Sequence, residues 1–258
     1  MAFCRFVQRR ITAPALAPVA LAVLLSSCSS PVPDNEGTPA RSGAAASPAA
    51  GQPAAFAPET LPPAERLALA MKAAGVMAQA GDADMTPSLR RIDGRWVLLN
   101  PVRDGDCHGC SGALEIRYLN VGEKGFEPAG SWPDMIGGGS WGAPPDWQIR
   151  EDLMPVPVIA ASGGGTWQGY SCSSMTLVAL TPDKPLLMAE AIPVSYDNGG
   201  AVADAGEAHS SVTGRIMPVR KGQRFDMIYQ GSPGGTVRYS IGKDGKATAA
   251  EGYAPPTC

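Results

Sequence analysis

His108 and His209 are the only histidines in 258 residues, so a histidine-based metal centre or catalytic set has little to draw on. Charge is also sparse, at 17% Asp, Glu, Lys and Arg, with 24 acids against 21 bases. That excess of acids argues against nucleic acid or anionic lipid headgroups as partners. Phenylalanine occurs only five times. No apolar stretch reaches the roughly 20 residues that a membrane-spanning helix needs. No internal repeat is regular enough for a propeller or solenoid. What the chain has in quantity is glycine and proline, 31 and 25 residues. Such richness in turn formers suits a domain of many short strands.

The N-terminal segment has its own logic. Arg5, Arg9 and Arg10 give positive charge, with no acidic residue before Cys28. Residues 11–25 are then apolar apart from Thr12, and Pro14 and Pro18 weaken them as a helix. Leu25-Ser26-Ser27-Cys28 ends the run with small residues and one cysteine. It resembles the lipobox of bacterial lipoproteins. The resemblance implies removal of residues 1–27 and lipidation of Cys28 by a diacylglyceryl group and a further acyl chain, since one chain anchors only marginally. An ordinary signal peptide that leaves Cys28 a plain thiol is the simpler alternative. Ser29 stands where that class uses aspartate to stay in the inner membrane, so the resemblance implies an outer-membrane anchor facing the periplasm. Loss of the three arginines leaves 18 bases against 24 acids, near −6.

Residues 28–62 then read as a tether dominated by Pro, Ala, Ser and Gly, with Val32, Phe56 and Leu61 as its large apolar residues. It holds too little apolar surface to repay its ordering entropy. Residues 63–258 are long enough for one well-cored domain. One helix is expected over residues 63–80, with Thr60 as a cap candidate, Leu67, Met71, Ala74 and Ala78 as its packing stripe, and Gly81 as its stop. The period then changes to two. Asp93-Gly94 between residues 88–92 and 95–100 predicts a hairpin. Leu114, Ile116 and Tyr118 alternate with polar residues, and residues 156–161 and 175–180 fit buried strands. Residues 212–217, then Phe225, Met227 and Tyr229, then Val237, Tyr239 and Ile241 predict a C-terminal meander. The fold class expected is mainly β, a β-sandwich or open barrel-like domain with one N-terminal flanking helix.

Setting aside Cys4 and Cys28 leaves Cys107, Cys110, Cys172 and Cys258. An even count in an oxidising compartment predicts disulfides, with three connectivities open. Cys107-His108-Gly109-Cys110 also has the spacing of thioredoxin-type redox centres. Asp104 and Asp106 before it and a strand after it make a poor thiolate environment, however. Haem attachment needs histidine after the second cysteine, where Ser111 stands. A zinc site would have to recruit His108 or His209 beside the thiols, and none is predicted.

Gly138-Gly139-Ser140-Trp141-Gly142 has the spelling of a hydrolase nucleophile elbow, but Ala143-Pro144-Pro145 blocks the helix that an elbow needs. No catalytic residue is therefore assigned; a hydrolase using Ser140, or a thiol or metal site at Cys107 and Cys110, remains the enzyme alternative. Ser240 and Lys243 run from a strand into a turn and carry no argument. Residues 195–210 read as a solvated loop without the ligand spacing of a calcium site.

Four of the five tryptophans, Trp132, Trp141, Trp147 and Trp167, fall within 36 residues, interleaved with Gly137-Gly138-Gly139 and Gly163-Gly164-Gly165. Together with Tyr170 they are candidates for binding, as rings displayed on Gly/Pro loops. The competing reading is that they fill the core. Cys-x-x-Cys, then Gly139 to Pro145, then Gln168-Gly169-Tyr170 resembles a loose pattern in secreted proteobacterial proteins and implies no activity. The reading as a whole is a lipid-anchored envelope protein without a cofactor. Its disulfide-bonded β domain is expected to bind an envelope glycan or protein, and a purely structural accessory role is the further alternative.

Overall fold

Alternating side-chain direction along β2 (Arg95–Val102), a strand buried on both faces, sets the layering of the domain. Trp96 and Leu98 face the helix α1 (Pro63–Ala74), whereas Val97 and Leu99 face a second sheet. A strand buried on both faces reads as a continuous apolar run, and each fully buried Leu stabilises the fold by roughly 1.5–3 kcal/mol. The computed structural model describes residues 55–77, 85–202 and 208–258, within a compact unit that spans Gln52–Cys258. Cys28 and the signal segment lie outside the described residues.

The first sheet is antiparallel, in the order β1 (Ser88–Ile92), β2, β3 (Ala113–Val121), β4 (Phe126–Trp132). Its opening hairpin turns at Asp93 and Gly94, with φ of 46° and 84°, the left-handed pair that Asp-Gly supplies. The second sheet is an eight-stranded antiparallel meander of β5 (Asp146–Arg150), β6 (Val158–Trp167), β7 (Tyr170–Leu180), β8 (Pro185–Asp197), β9 (Ser211–Arg220), β10 (Arg224–Gly231), β11 (Gly235–Ile241) and β12 (Ala247–Ala249). Ile159, Ala161, Val178 and Leu180 pack against the first sheet. The opposite face curls on itself around Met175, Leu177, Phe225, Met227 and Tyr229, and β12 comes back to touch β8. The molecule is thus mainly β, with two antiparallel sheets, an open curl rather than a closed barrel, and one flanking helix.

Three local outcomes differ from expectation. The helix stops at Gly75, not Gly81: Gly75 takes φ +66° and donates to Lys72 O, while Val76 N–H donates to Met71 O, a Schellman-type ending. Thr60 does not cap the helix, because Pro58–Thr60 forms a separate 3-10 turn in which Thr60 Oγ1 donates to Ala57 O. Phe56, the largest apolar residue of the expected tether, stacks edge-on against Phe126 at 5.3 Å, so the packed chain begins before residue 63.

Candidate functional site

Glycines in β6 bring a loop directly onto the sheet. A Cβ on Gly163 would lie 2.4 Å from Gly138 O, and one on Gly165 would lie 2.9 Å from Ser140 Oγ. Only hydrogen atoms fit there. The 133–145 loop between β4 and β5 therefore rests backbone on backbone, with Ser140 N–H donating to Gly164 O at 2.9 Å. The 103–112 loop between β2 and β3 is tied to it in turn: Asp104 N–H donates to Gly142 O and Gly142 N–H to Cys110 O. Trp141 takes φ +60° beside Gly142 at +66°. A left-handed tryptophan costs roughly 1–2 kcal/mol, and these hydrogen bonds hold it in place.

These contacts build an aromatic stack at the rim of a cleft. The His108 ring lies between Trp141 and Trp167, with centroids at 5.0 and 5.8 Å and planes within 27° and 20°. Trp141 and Trp167 are 56% and 45% exposed, unlike most large aromatics. His108 Nε2 sits 2.8 Å from Thr166 O, so it acts as the donor and leaves Nδ1 as the ring's other site. Below the rim lies a cavity of about 380 Å³. Its hydroxyls come from Ser111, Ser140, Ser173, Ser174, Ser195 and Thr257, and among the described residues no Asp, Glu, Lys or Arg side chain lines it. Ser173 and Ser195 share a hydrogen bond of 2.6 Å across β7 and β8.

The four cysteines pair as Cys107–Cys110 and Cys172–Cys258, and Cys110, Cys172 and Cys258 all line the cavity. The first bridge closes the loop that presents His108. The second pins the chain's last residues against β7, so that Pro256 and Thr257 form one wall. From beneath, Tyr229 Oη donates to Pro193 O at 2.9 Å and fixes the β8 segment opposite. Burial raises the Tyr229 phenol well above its ordinary value, with Tyr239 and Tyr253 adding to the effect.

The sequence candidates divide between core and cleft. Trp167 lines the cavity, and Trp141 stands beside it, stacked on His108. Trp132 and Trp147 pack against the apolar layer between the sheets, Trp132 edge-on to Tyr118 at 5.1 Å. Tyr170, at the start of β7, tilts against Tyr196. Ser140 and His108 line the same cavity, but no hydrogen bond joins them among the described residues. Neither a strand immediately before Ser140 nor a helix after it forms an elbow. His209 lies on the 198–210 connection, 3.1 Å from Asp197, whose carboxyl is held below its usual range first by Gly199 N–H and then by His209. Of the stretch read as one polar loop, Ser195 to Asp197 belong to β8, and Gly199–Val202 form a short helix. Among the described residues, no group of three or more His, Cys, Asp or Glu is placed to hold a metal ion. No helix among them is long and apolar enough to cross a membrane.

Sequence reasoning passed over Ser173, Ser174, Ser195 and the C-terminal wall. A signal existed in Ser171-Cys172-Ser173-Ser174, a polar run directly before the apolar stretch of β7. Compared with known proteins, the chain matches no family model, no curated protein and no solved structure.

Proposed function

We propose that this chain is a lipid-anchored protein of the cell envelope whose β domain binds a glycan in the cleft beneath Trp141, His108 and Trp167. The observation that carries the reading is the stack of exposed Trp141 and Trp167 on His108, beside a cavity lined by hydroxyls and, among the described residues, free of charged side chains. A pyranose has an apolar face that stacks on indole and an edge of hydroxyls that exchange hydrogen bonds with serines. Loops cross-linked by backbone bonds and two disulfides supply the rigidity that limits ordering cost on binding.

The test is titration of the purified chain with neutral oligosaccharides such as chitotetraose, followed by tryptophan fluorescence and calorimetry. Saturable binding that falls about tenfold in Trp141→Ala or Trp167→Ala, with unchanged melting, is the expected result. Absence of saturable binding to any neutral oligosaccharide rejects the reading. The anchor is tested separately by labelled palmitate: incorporation in the wild-type chain and none in Cys28→Ala is expected. A chain that stays unlabelled in both removes the lipoprotein half.

A further inference from the structure

The cleft does not end below the aromatic rim. A second compartment of about 330 Å³ shares Gly138, Gly163, Ser174 and Ala191 with the first, and Thr176 and Glu190 line its far end. The two form one groove crossing β6, β7 and β8, a span of two strand spacings or about 10 Å. Among the described residues, Glu190 is the only Asp or Glu side chain lining either compartment. No cation pairs with it among the described residues.

The fold takes unusual steps to place that carboxylate. Met175 pairs with Ile192 and Leu177 with Ala189, so Glu190 and Ala191 together face the single residue Thr176. This is a β-bulge, and Ala191 sits in it at φ +53°. Alanine in left-handed backbone costs about 1 kcal/mol, a cost that glycine would have avoided. Bulges of this kind re-aim a side chain, and here the residue that gains from the bulge is Glu190.

We propose that Glu190 closes a second subsite that receives the ammonium group of an amino sugar, while the neutral part of the same ligand rests against Trp167 and His108 in the first compartment. The inference rests on the glycan reading above and adds the class of sugar. An ionised carboxylate only accepts hydrogen bonds, and an ammonium brings three donors and an opposite charge. A sugar hydroxyl at the same place brings a donor without the charge. A carboxylated sugar meets repulsion, consistent with the chain's excess of acids.

The experiment compares two probes on the full chain: chitotetraose, which is N-acetylated and neutral, and its fully deacetylated, cationic counterpart. At about 20 mM salt the cationic probe is expected to bind about fivefold more tightly, the size of one exposed charge pair. Glu190→Gln should bring the two probes to parity while chitotetraose binding stays within about twofold of wild type. Because Glu190 is exposed, the variant should fold. As a second measurement on the wild-type chain, raising salt to about 0.5 M should abolish the preference. Equal binding of both probes by the wild-type chain, or a preference that Glu190→Gln leaves intact, overturns the amino-sugar subsite and spares the glycan reading. Failure of both probes to bind overturns the two together.

Discussion

Serine in place of Cys258 removes the bridge to Cys172 and tests whether the C-terminal tail is a wall of the site or a tie for the fold. The bridge joins residues 86 apart. Chain-entropy arithmetic for a loop of that size gives a ceiling of about 4.5 kcal/mol, against about 2 kcal/mol for Cys107–Cys110, which closes three positions. The native tail has a second tie. Tyr253 Oη donates to Pro233 O at 2.6 Å, and its ring packs over Gly235 and tilts against Tyr229 at 5.6 Å. Loss of the bridge therefore frees residues 254–258 while Tyr253 holds the chain before them. The expected outcome is a loss of about 3–4.5 kcal/mol in urea unfolding, read from the midpoint at constant slope. Near-ultraviolet circular dichroism should be retained. Glycan binding should weaken, because Pro256 and Thr257 leave the cavity. Cys107→Ser with Cys110→Ser should cost at most about 2 kcal/mol and disturb binding through His108 instead. A Cys258→Ser chain within about 1 kcal/mol of wild type, with binding unchanged, would refute both the entropy argument and the tail's role as a wall.

The tryptophans should separate by layer. Trp132→Ala or Trp147→Ala opens a cavity between the sheets and should cost about 3 kcal/mol, whereas Trp141→Ala and Trp167→Ala should stay within about 0.5 kcal/mol; a reversed order in thermal melts would contradict the layering. Tyr229→Phe leaves Pro193 O without its donor, so a loss of about 1–2 kcal/mol together with weaker glycan binding is expected by the same assays. Alkali should unfold the domain early. Burial raises the phenols of Tyr118 and Tyr229 above their ordinary value of about 10, so their contribution is complete below that pH and is lost as pH rises beyond it. Each group gives a slope approaching 1.4 kcal/mol per pH unit, and Tyr229→Phe should flatten the alkaline limb of a stability-versus-pH curve.

The fold was legible wherever one face of a strand was buried and the other wet. Leu114, Ile116 and Tyr118 carry a period of two, and Asp93-Gly94 has only one common use between two apolar runs. β4, β5 and the long β8 were harder to see, each for a physical reason. β4 and β5 are edge strands, whose burial follows no clean alternation. β8 changes register at several points, so its apolar residues drift between faces, and Met188 and Ile192 are buried while the residues around them are not.

The site was legible only in part, because glycine has two opposite meanings in a sequence. Gly163-Gly164-Gly165 reads as a loop, since three glycines weaken any strand by their entropy. In the folded chain they lie in the middle of β6, and their missing side chains admit Gly138 and Ser140 against the sheet. That close approach turns the 133–145 loop into a fixed platform and lifts Trp141 to the surface. The same ambiguity covers the tryptophans: four rings in 36 residues suggest one role, yet their neighbours assign two. Trp132 ends a strand facing the inter-sheet layer, whereas Trp141 precedes a left-handed Gly142 and Trp167 a hairpin turn at Gln168-Gly169. Trp141 lies within the 133–145 loop and Trp167 at the last position of β6, and both rings are exposed. A tryptophan within a pair of positive-φ residues, as Trp141 with Gly142, or directly before one, as Trp167 before Gln168-Gly169, is thus the mark of a displayed ring, and here it separates Trp141 and Trp167 from Trp132 and Trp147.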